Sequence, residues 1–282
     1  MTEKSIVLKI GNGKYRIASD DNYLPQMRSG VKASLVNLTK TLLGKNSFEP
    51  KMVALFQKLV KDTDVVIDIG ANIGCTSILF GELAHRVLSF EHSPTTFAFL
   101  SRNIKQSGRK NIEVYNYALG ADNMDSQITY SPSNRSEGFI SDKIAVERGH
   151  ITEQIQISKL DDKLHQLHLR RVDFIKIDVE GFEKDVLTGS RVTLERFQPI
   201  VVLELNHWCL NAFQRITIPD FFDYLLSTFP LLYAVEGSHY VNLRDESDRY
   251  MVMYEHIINS KFSNLVAAFK KEQLESFLRI SH

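Results

Sequence analysis

The stretch VVIDIGANIG at residues 65–74 limits the possible folds more than any other part of the chain. β-branched residues surround Asp68, and Gly70 and Gly74 follow within a few positions. This pattern is typical of a buried strand that ends in a tight turn and leads into a helix, where a bare backbone comes close to a ligand. The candidate ligands are a phosphate, a dinucleotide and a nucleoside with an amino-acid tail.

The same strand-to-helix alternation continues along the chain. Predicted strands cover 65–69, 86–91, 112–116, 172–178 and 199–205, with helices over 73–84, 94–106, 182–189 and 219–227, and further strands near 231–235 and 250–256. Short apolar strands that alternate with helices indicate a mostly parallel sheet covered on both faces. The sequence therefore predicts a three-layer, Rossmann-like α/β domain.

Three additions to this domain are predicted. Residues 1–47 contain a β-hairpin and a lead-in, and a helix near 48–61 begins the main domain at 48–257. The polar stretch 121–170 predicts a β-rich insertion between the third and fourth main strands. Apolar spacing over 258–282 predicts a C-terminal amphipathic helix, which would dock on its own domain, form a homodimer or bind another biosynthetic enzyme.

Composition narrows the class of partner. Lys plus Arg equals Asp plus Glu, at 34 each, so charge gives no reason to expect nucleic acid as partner. The two cysteines, Cys75 and Cys209, are far apart and predict neither a disulfide nor a zinc site. No apolar run approaches the ~18 residues of a membrane span, and the first residues lack a secretory pattern. We expect a soluble cytoplasmic protein.

Ligands of such sheets bind at the carboxyl ends of the strands. Glu91 ends the second strand about twenty residues after the glycine turn, where nucleotide-binding domains place the acid that accepts both ribose hydroxyls. The turn itself carries Asp68 where dinucleotide-binding turns carry their first glycine, which disfavours a pyrophosphate. No P-loop motif and no Tyr-x-x-x-Lys pair occurs. S-adenosylmethionine fits this set, because it combines an ammonium group, a carboxylate and a ribose.

The pair DIGANIG and KIDVEG, with SFEHSPTTFAFLSRNI and NYALG between them, resembles the FkbM family of S-adenosylmethionine-dependent methyltransferases. The resemblance covers roughly residues 48–205. It implies a class I methyltransferase fold and, from characterised relatives, methylation of hydroxyls on sugars or polyketide-type natural products.

The resemblance also implies the roles of individual residues. The cofactor-binding set would be Asp68, Gly70, Asn72, Gly74, Glu91, His92, Asn116, Tyr117, Ala118 and Asp178. A sugar hydroxyl is a poor nucleophile, so a base should help, and the candidates are Asp178, Glu180, Glu204 and His207. We assign no metal, although Asp178, Glu180 and Glu204 together offer the oxygen ligands that Mg²⁺ prefers.

Other interpretations remain open at this point. Asp178 and Glu180 would also suit the start of the following helix. N-methylation, and a protein that keeps the fold without turnover, are alternatives to O-methylation. An NAD-dependent oxidoreductase is disfavoured by Asp68 in the turn.

Overall fold

The computed structural model describes residues 4–20, 47–131, 134–140 and 149–278. In chain order the strands are β1 (Lys4–Ile10), β2 (Gly13–Ser19), β3 (Val65–Ile69), β4 (Arg86–Phe90), β5 (Ile112–Tyr115), β6 (Ala118–Leu119), β7 (Met124–Ser131), β8 (Asn134–Ile140), β9 (Ile151–Ser158), β10 (Phe174–Ile177), β11 (Ile200–Glu204), β12 (Leu231–Glu236), β13 (His239–Asn242) and β14 (Asn264–Ala268). The helices are α1 (Pro50–Leu59), α2 (Cys75–Leu83), α3 (Pro94–Ser107), α4 (Leu160–Gln166), α5 (Glu183–Thr188), α6 (Arg191–Phe197), α7 (His207–Cys209), α8 (Ile218–Thr228), α9 (Glu246–Asn259) and α10 (Glu275–Leu278). A π-helical turn at Leu210–Gln214 and a 3-10 turn at Lys271–Leu274 complete the set.

The central sheet has eight strands in the order β13-β12-β14-β11-β10-β3-β4-β5. Strands β5, β4, β3, β10 and β11 are parallel, and β14 is antiparallel to both β11 and β12. Alternate strand residues enter two hydrophobic cores, one on each face, as Ile67 and Val66 do. The three-layer α/β fold predicted from the alternation is confirmed.

The N-terminal hairpin is confirmed, because β1 and β2 pair antiparallel around Gly11 and Asn12. It packs on the α3 side of the sheet, where the buried Asn103 accepts a hydrogen bond from the Ala18 N–H and donates to the Ala18 carbonyl.

The insertion between the third and fourth main strands is also confirmed. Strands β6, β9, β7 and β8 form a separate four-stranded sheet, and α4 follows it. Glu153 on β9 ties this sheet to the start of α3, because its carboxylate accepts hydrogen bonds from the hydroxyls of Ser93 (2.5 Å) and Thr95.

The C-terminal predictions were wrong in two places. The segment predicted as a strand at 250–256 lies inside α9, whose first turn is capped by the Asp245 side chain. Within residues 258–278 the predicted helix is replaced by the end of α9, β14, the 3-10 turn and the short α10, and residues 279–282 lie outside the described part of the chain. The buried residues of β14 fill the gap between β11 and β12, and this long-range pairing overrides the helical spacing.

The corrected C-terminal segment also changes the partner prediction. Leu265, Val266, Leu274 and Phe277 are fully buried in the protein's own cores, so they offer no surface for self-association or docking. Because β14 belongs to the main sheet, the predicted boundary between 257 and 258 does not separate two units. Within the described residues, no helix combines the length and apolarity needed to cross a membrane.

Candidate active site

The site lies where the order of the central sheet reverses. β4 and β5 extend the sheet on one side of β3, and β10 and β11 extend it on the other. The turns after β3 and β10 therefore meet at the carboxyl edge of the sheet, where open α/β sheets bind ligands.

The turn after β3 depends on left-handed backbone at three positions. Gly70, Asn72 and Gly74 have φ values of 76°, 50° and 95°. A Cβ on Gly70 would lie 1.9 Å from the Asp178 carbonyl oxygen, so the close neighbour that requires glycine here is the turn after β10. From the sequence pattern, a nearby ligand is the expected reason for glycine at this position. The two turns are packed backbone to backbone.

Gly74 is the N-cap residue of α2, and it offers no side chain to accept a hydrogen bond from the first N–H groups of the helix. Free N–H groups at a helix start attract a negative group such as a carboxylate. The start of α2 is therefore suited to the carboxylate of an amino-acid ligand.

Asp68 lies beneath this turn and is fully buried. Its Oδ2 accepts a hydrogen bond from the Ser77 hydroxyl at 2.7 Å, and its Oδ1 lies 3.4 Å from Lys176 Nζ. Burial raises the pKa of the Asp68 carboxyl, and Lys176 opposes that rise. The cation beside Asp68 is a protein side chain, so contact between Asp68 and a bound ammonium group stays a prediction.

Lys176 joins the two turns. Its buried Nζ donates to the Gly70 carbonyl at 3.0 Å and lies 3.3 Å from Asp178 Oδ2 as well as beside Asp68. In the register of β3 and β10, Lys176 is directly opposite Asp68. Burial alone would lower the pKa of the Lys176 ammonium group, but Asp178 and Asp68 outweigh it and raise that pKa. Lys176 is therefore charged and holds both turns in place.

Glu91 lies at the predicted ribose position after β4 and is nearly buried. Its two carboxylate oxygens accept hydrogen bonds from the Asn72 and Ser93 backbone N–H groups, each at 2.9 Å. Each oxygen keeps a second lone pair for a further donor. Glu91 thus braces the glycine turn, and its contact with ribose hydroxyls stays a prediction.

A cleft next to this turn collects other residues of the predicted cofactor set. Gly70, His92, Tyr117 and Ala118 line it. Asn116 does not line it; its amide donates to the carbonyls of Glu91 and His92 at 2.8 and 3.1 Å and so fixes the wall.

The insertion and the turn after β10 complete the cleft. Gly138 and Ile140 of β8 line it, together with Val179 and Phe182. The Ile140 carbonyl accepts a hydrogen bond from Gln214 Nε2 at 3.2 Å. The insertion is thereby connected to the segment that follows β11.

The turn after β10 is also left-handed, with φ values of 52° at Glu180 and 98° at Gly181. Glu183 supports it from inside, because its Oε1 accepts from the backbone N–H groups of Val179 (3.3 Å) and Gly181 (3.1 Å). Complete burial raises the pKa of Glu183 to about 7, and the nearby Asp178 adds to the rise.

The structure brings three of the four predicted catalytic residues together. Carboxylate oxygens of Asp178, Glu180 and Glu204 all lie within 4.8 Å of one another. Glu180 Oε2 accepts hydrogen bonds from Asn206 Nδ2 (2.9 Å) and the Cys209 thiol (3.3 Å). Burial, followed by the charge of Glu180, raises the pKa of the Cys209 thiol, which acts as a neutral donor. We call these three carboxylates the acid cluster.

His207 follows the acid cluster at the start of α7 and contacts another histidine. Its backbone N–H donates to Nε2 of the buried His256 at 3.4 Å, and the two rings meet edge to face at 5.0 Å. Burial lowers the pKa of His256, which favours the neutral form that can accept this bond. Whether the His207 ring takes part in proton transfer stays a prediction.

Sequence reasoning missed Lys176, Glu183 and Asn206. Lys176 had a visible signal, because a lysine in the apolar strand FIKI is exceptional at a buried position unless it is paired. Glu183 and Asn206 have no such signal, because polar residues at helix starts are common.

The family model described as the methyltransferase FkbM domain matches residues 68–232. A crystal structure of methyltransferase FkbM from Methylobacillus flagellatus has a TM-score of 0.42 at 21% identity, covering 60% of this chain and 38% of that one.

Three curated relatives show similar levels of identity. Methyltransferase 1 of Beauveria bassiana is 27% identical over 45% of this chain and 59% of its own length. 2-O-methyltransferase NoeI of Sinorhizobium fredii is 26% identical over 49% of this chain and 62% of its own length. Hexuronic acid methyltransferase AglP of Haloferax volcanii is 27% identical over 55% of this chain and 61% of its own length. The chain thus spans about three fifths of the length of each.

Proposed function

The chain belongs to the FkbM methyltransferase domain family, and from this we propose that it transfers a methyl group from S-adenosylmethionine to a hydroxyl of a saccharide. The observation that carries the proposal is the acid cluster, held beside the glycine turn of β3 by Lys176.

The residues around the glycine turn fit S-adenosylmethionine. The open start of α2 suits the carboxylate of its amino-acid tail, and Glu91 retains acceptor capacity for ribose hydroxyls. His92, Tyr117 and Ala118 line a narrow cleft with a cavity volume of about 10 Å³, which would have to widen to admit the adenine. The bound cofactor would supply an electrophilic methyl group on its sulfonium.

The acid cluster would bind the acceptor and take its proton. Asp178 is the member nearest the glycine turn, since its carbonyl packs on Gly70 and its N–H donates to the Ile69 carbonyl at 3.1 Å. Its side chain is 44% exposed and within reach of solvent. We assign it as the base that takes the proton of the acceptor hydroxyl, while Glu180 and Glu204 accept hydrogen bonds from neighbouring hydroxyls.

The saccharide acceptor rests on two kinds of support. An array of carboxylate oxygens is suited to ordering several adjacent hydroxyls, because each oxygen accepts hydrogen bonds. Two relatives are described as a 2-O-methyltransferase and a hexuronic acid methyltransferase. A neutral amine would not need this array.

Calorimetry should detect binding of S-adenosylmethionine and S-adenosylhomocysteine, with NAD as the control. Mass spectrometry of reactions with methyl glycosides and methyl hexuronides should then show the mass of one added methyl group. Parallel reactions with EDTA or added Mg²⁺ would show whether the acid cluster works without a metal, as we expect. Failure of the folded protein to bind either sulfur compound would overturn the proposal.

A further inference from the structure

Trp208 stands out in the short helix that follows β11, between two residues that bind Glu180. It is the chain's single tryptophan and is 62% exposed. Tryptophan is a large apolar side chain, and most of its ring is usually buried. Here it lies on α7, two residues after Asn206 and immediately after His207.

The backbone around Trp208 is fixed to the acid cluster. Asn206 donates to Glu180 through Nδ2 and accepts from the Cys209 N–H at 3.2 Å through Oδ1. The Cys209 thiol donates to the same Glu180 oxygen. Trp208 therefore lies in a short segment whose two ends, Asn206 and Cys209, are both hydrogen-bonded to Glu180.

The ring is also restrained by its neighbours in the chain. Its centroid lies 5.2 Å from that of Phe213, and the ring planes are 88° apart. Phe213 is buried in the π-helical turn, whose Gln214 holds the Ile140 carbonyl at the cofactor cleft. An edge-to-face contact of this kind stabilises one orientation of the indole without covering it completely.

We propose that Trp208 is a stacking platform for the sugar ring that receives the methyl group. This inference rests on the proposed function, since it assigns the acceptor of that site. A pyranose carries an apolar face of C–H groups and a rim of hydroxyls. The C–H face packs on the negative face of an indole, and the rim hydroxyls then meet acceptors such as the acid cluster. The favoured acceptors are saccharides with one unsubstituted C–H face.

The single tryptophan provides a direct measurement. Indole fluorescence of the wild-type protein saturated with S-adenosylhomocysteine should change in a saturable way on titration with methyl mannoside, methyl fucoside or methyl glucuronide. A peracetylated methyl glycoside should cause no saturable change, because it has lost the hydroxyl donors that the acid cluster would accept from.

Kinetics of two variants complete the test. Trp208→Ala should raise the acceptor KM at least tenfold and leave the Kd of S-adenosylmethionine unchanged, whereas Trp208→Phe should recover part of the loss. Tyr250→Ala is the matched control, because Tyr250 is 66% exposed near the start of α9, six residues before the His256 that contacts His207. It should keep the wild-type KM.

The two proposals fail in different ways. If glycosides are methylated but Trp208→Ala keeps the wild-type KM, the platform is wrong and the methyltransferase assignment stands. If glycosides change the fluorescence but are never methylated, the platform stands and the assigned reaction is wrong. No fluorescence change with any glycoside overturns the platform.

Discussion

The turns after β3 and β10 use the same backbone device for different purposes. Both place residues at positive φ directly after a buried parallel strand. The first turn covers a buried carboxylate, Asp68, which is held by Ser77 and Lys176. The second turn carries Asp178 and Glu180, two members of the acid cluster to which we assign the acceptor. The comparison indicates that changes in the first turn should impair stability and cofactor binding, and changes in the second should impair turnover.

The largest loss of stability is expected for Gly70→Ala, which disrupts the contact between the two turns. The new Cβ would lie 1.9 Å from the Asp178 carbonyl oxygen, at a φ of 76°. We expect little folded protein and no cofactor binding. Gly108→Ala is the matched control, because Gly108 has a φ of 74° with open space around its Cβ. It should cost only about 1 kcal/mol of unfolding free energy in urea titrations; equal losses in both variants would refute the backbone contact.

Lys176→Met should have the next largest effect, because it leaves Asp68 as a buried charge without its cation. Breaking a buried ion pair on one side costs about 3–5 kcal/mol. The double variant Lys176→Met with Asp68→Asn removes both charges and should regain more than half of the loss. Denaturant titration measures both, and a single variant as stable as the wild type would show that the pair does not hold the turns.

Glu183→Gln tests whether the second turn also depends on one buried group. The pKa of Glu183 is raised from 4.5 to about 7, mainly by burial. The folded protein therefore holds this proton more tightly than the unfolded chain does. Stability should decline as pH rises from 4.5 to 7 and then level off.

The glutamine in Glu183→Gln cannot ionise, so the unfolding free energy of this variant should not decline between pH 4.5 and 7. In the wild-type protein the decline amounts to at most about 3 kcal/mol. Unfolding titrations from pH 4.5 to 8 measure the difference. Glu195→Gln, at an exposed glutamate, should follow the wild-type profile. Parallel curves for wild type and Glu183→Gln would contradict the prediction.

Asp178→Asn should have the smallest effect on the folded state and a clear effect on turnover. Loss of a general base typically costs about a hundredfold or more in kcat. The Kd of S-adenosylmethionine should stay within about threefold, because asparagine keeps a side-chain oxygen for Lys176, and Lys176 retains Asp68 as its other partner. An equal loss of affinity and kcat would show that the two turns do not divide their roles in this way.

The parallel part of the sheet is predicted from the sequence because its strands are short, apolar and separated by helices. The prediction failed in α9, where Tyr250, Met251, Tyr254, Ile257 and Ile258 are exposed apolar residues that mask the buried positions. Only Val252 and His256, one turn apart, are buried on this helix. Periodicity marks the buried face of a helix only when the opposite face is polar.

In the candidate active site, residues with a characteristic spacing along the chain were predicted, whereas contacts between distant strands were not. Asp68, Gly70 and Glu91 were found from spacing along the chain. The partnership of Lys176 with Asp68 was not, because it depends on β10 lying beside β3, about a hundred residues away in sequence. Strand order is a property of the whole fold, so a local pattern does not contain it.

The position of β14 between β11 and β12 has a consequence for biosynthesis. The hairpin of β12 and β13 leaves the ribosome before β14, yet among the described strands it joins the sheet only through β14. Until residues 264–268 emerge, β11 presents an unpaired edge of buried apolar residues, which is a template for association between nascent chains. The half of the sheet that carries Glu204 is therefore completed late. We expect chaperones to protect the nascent protein from association until then.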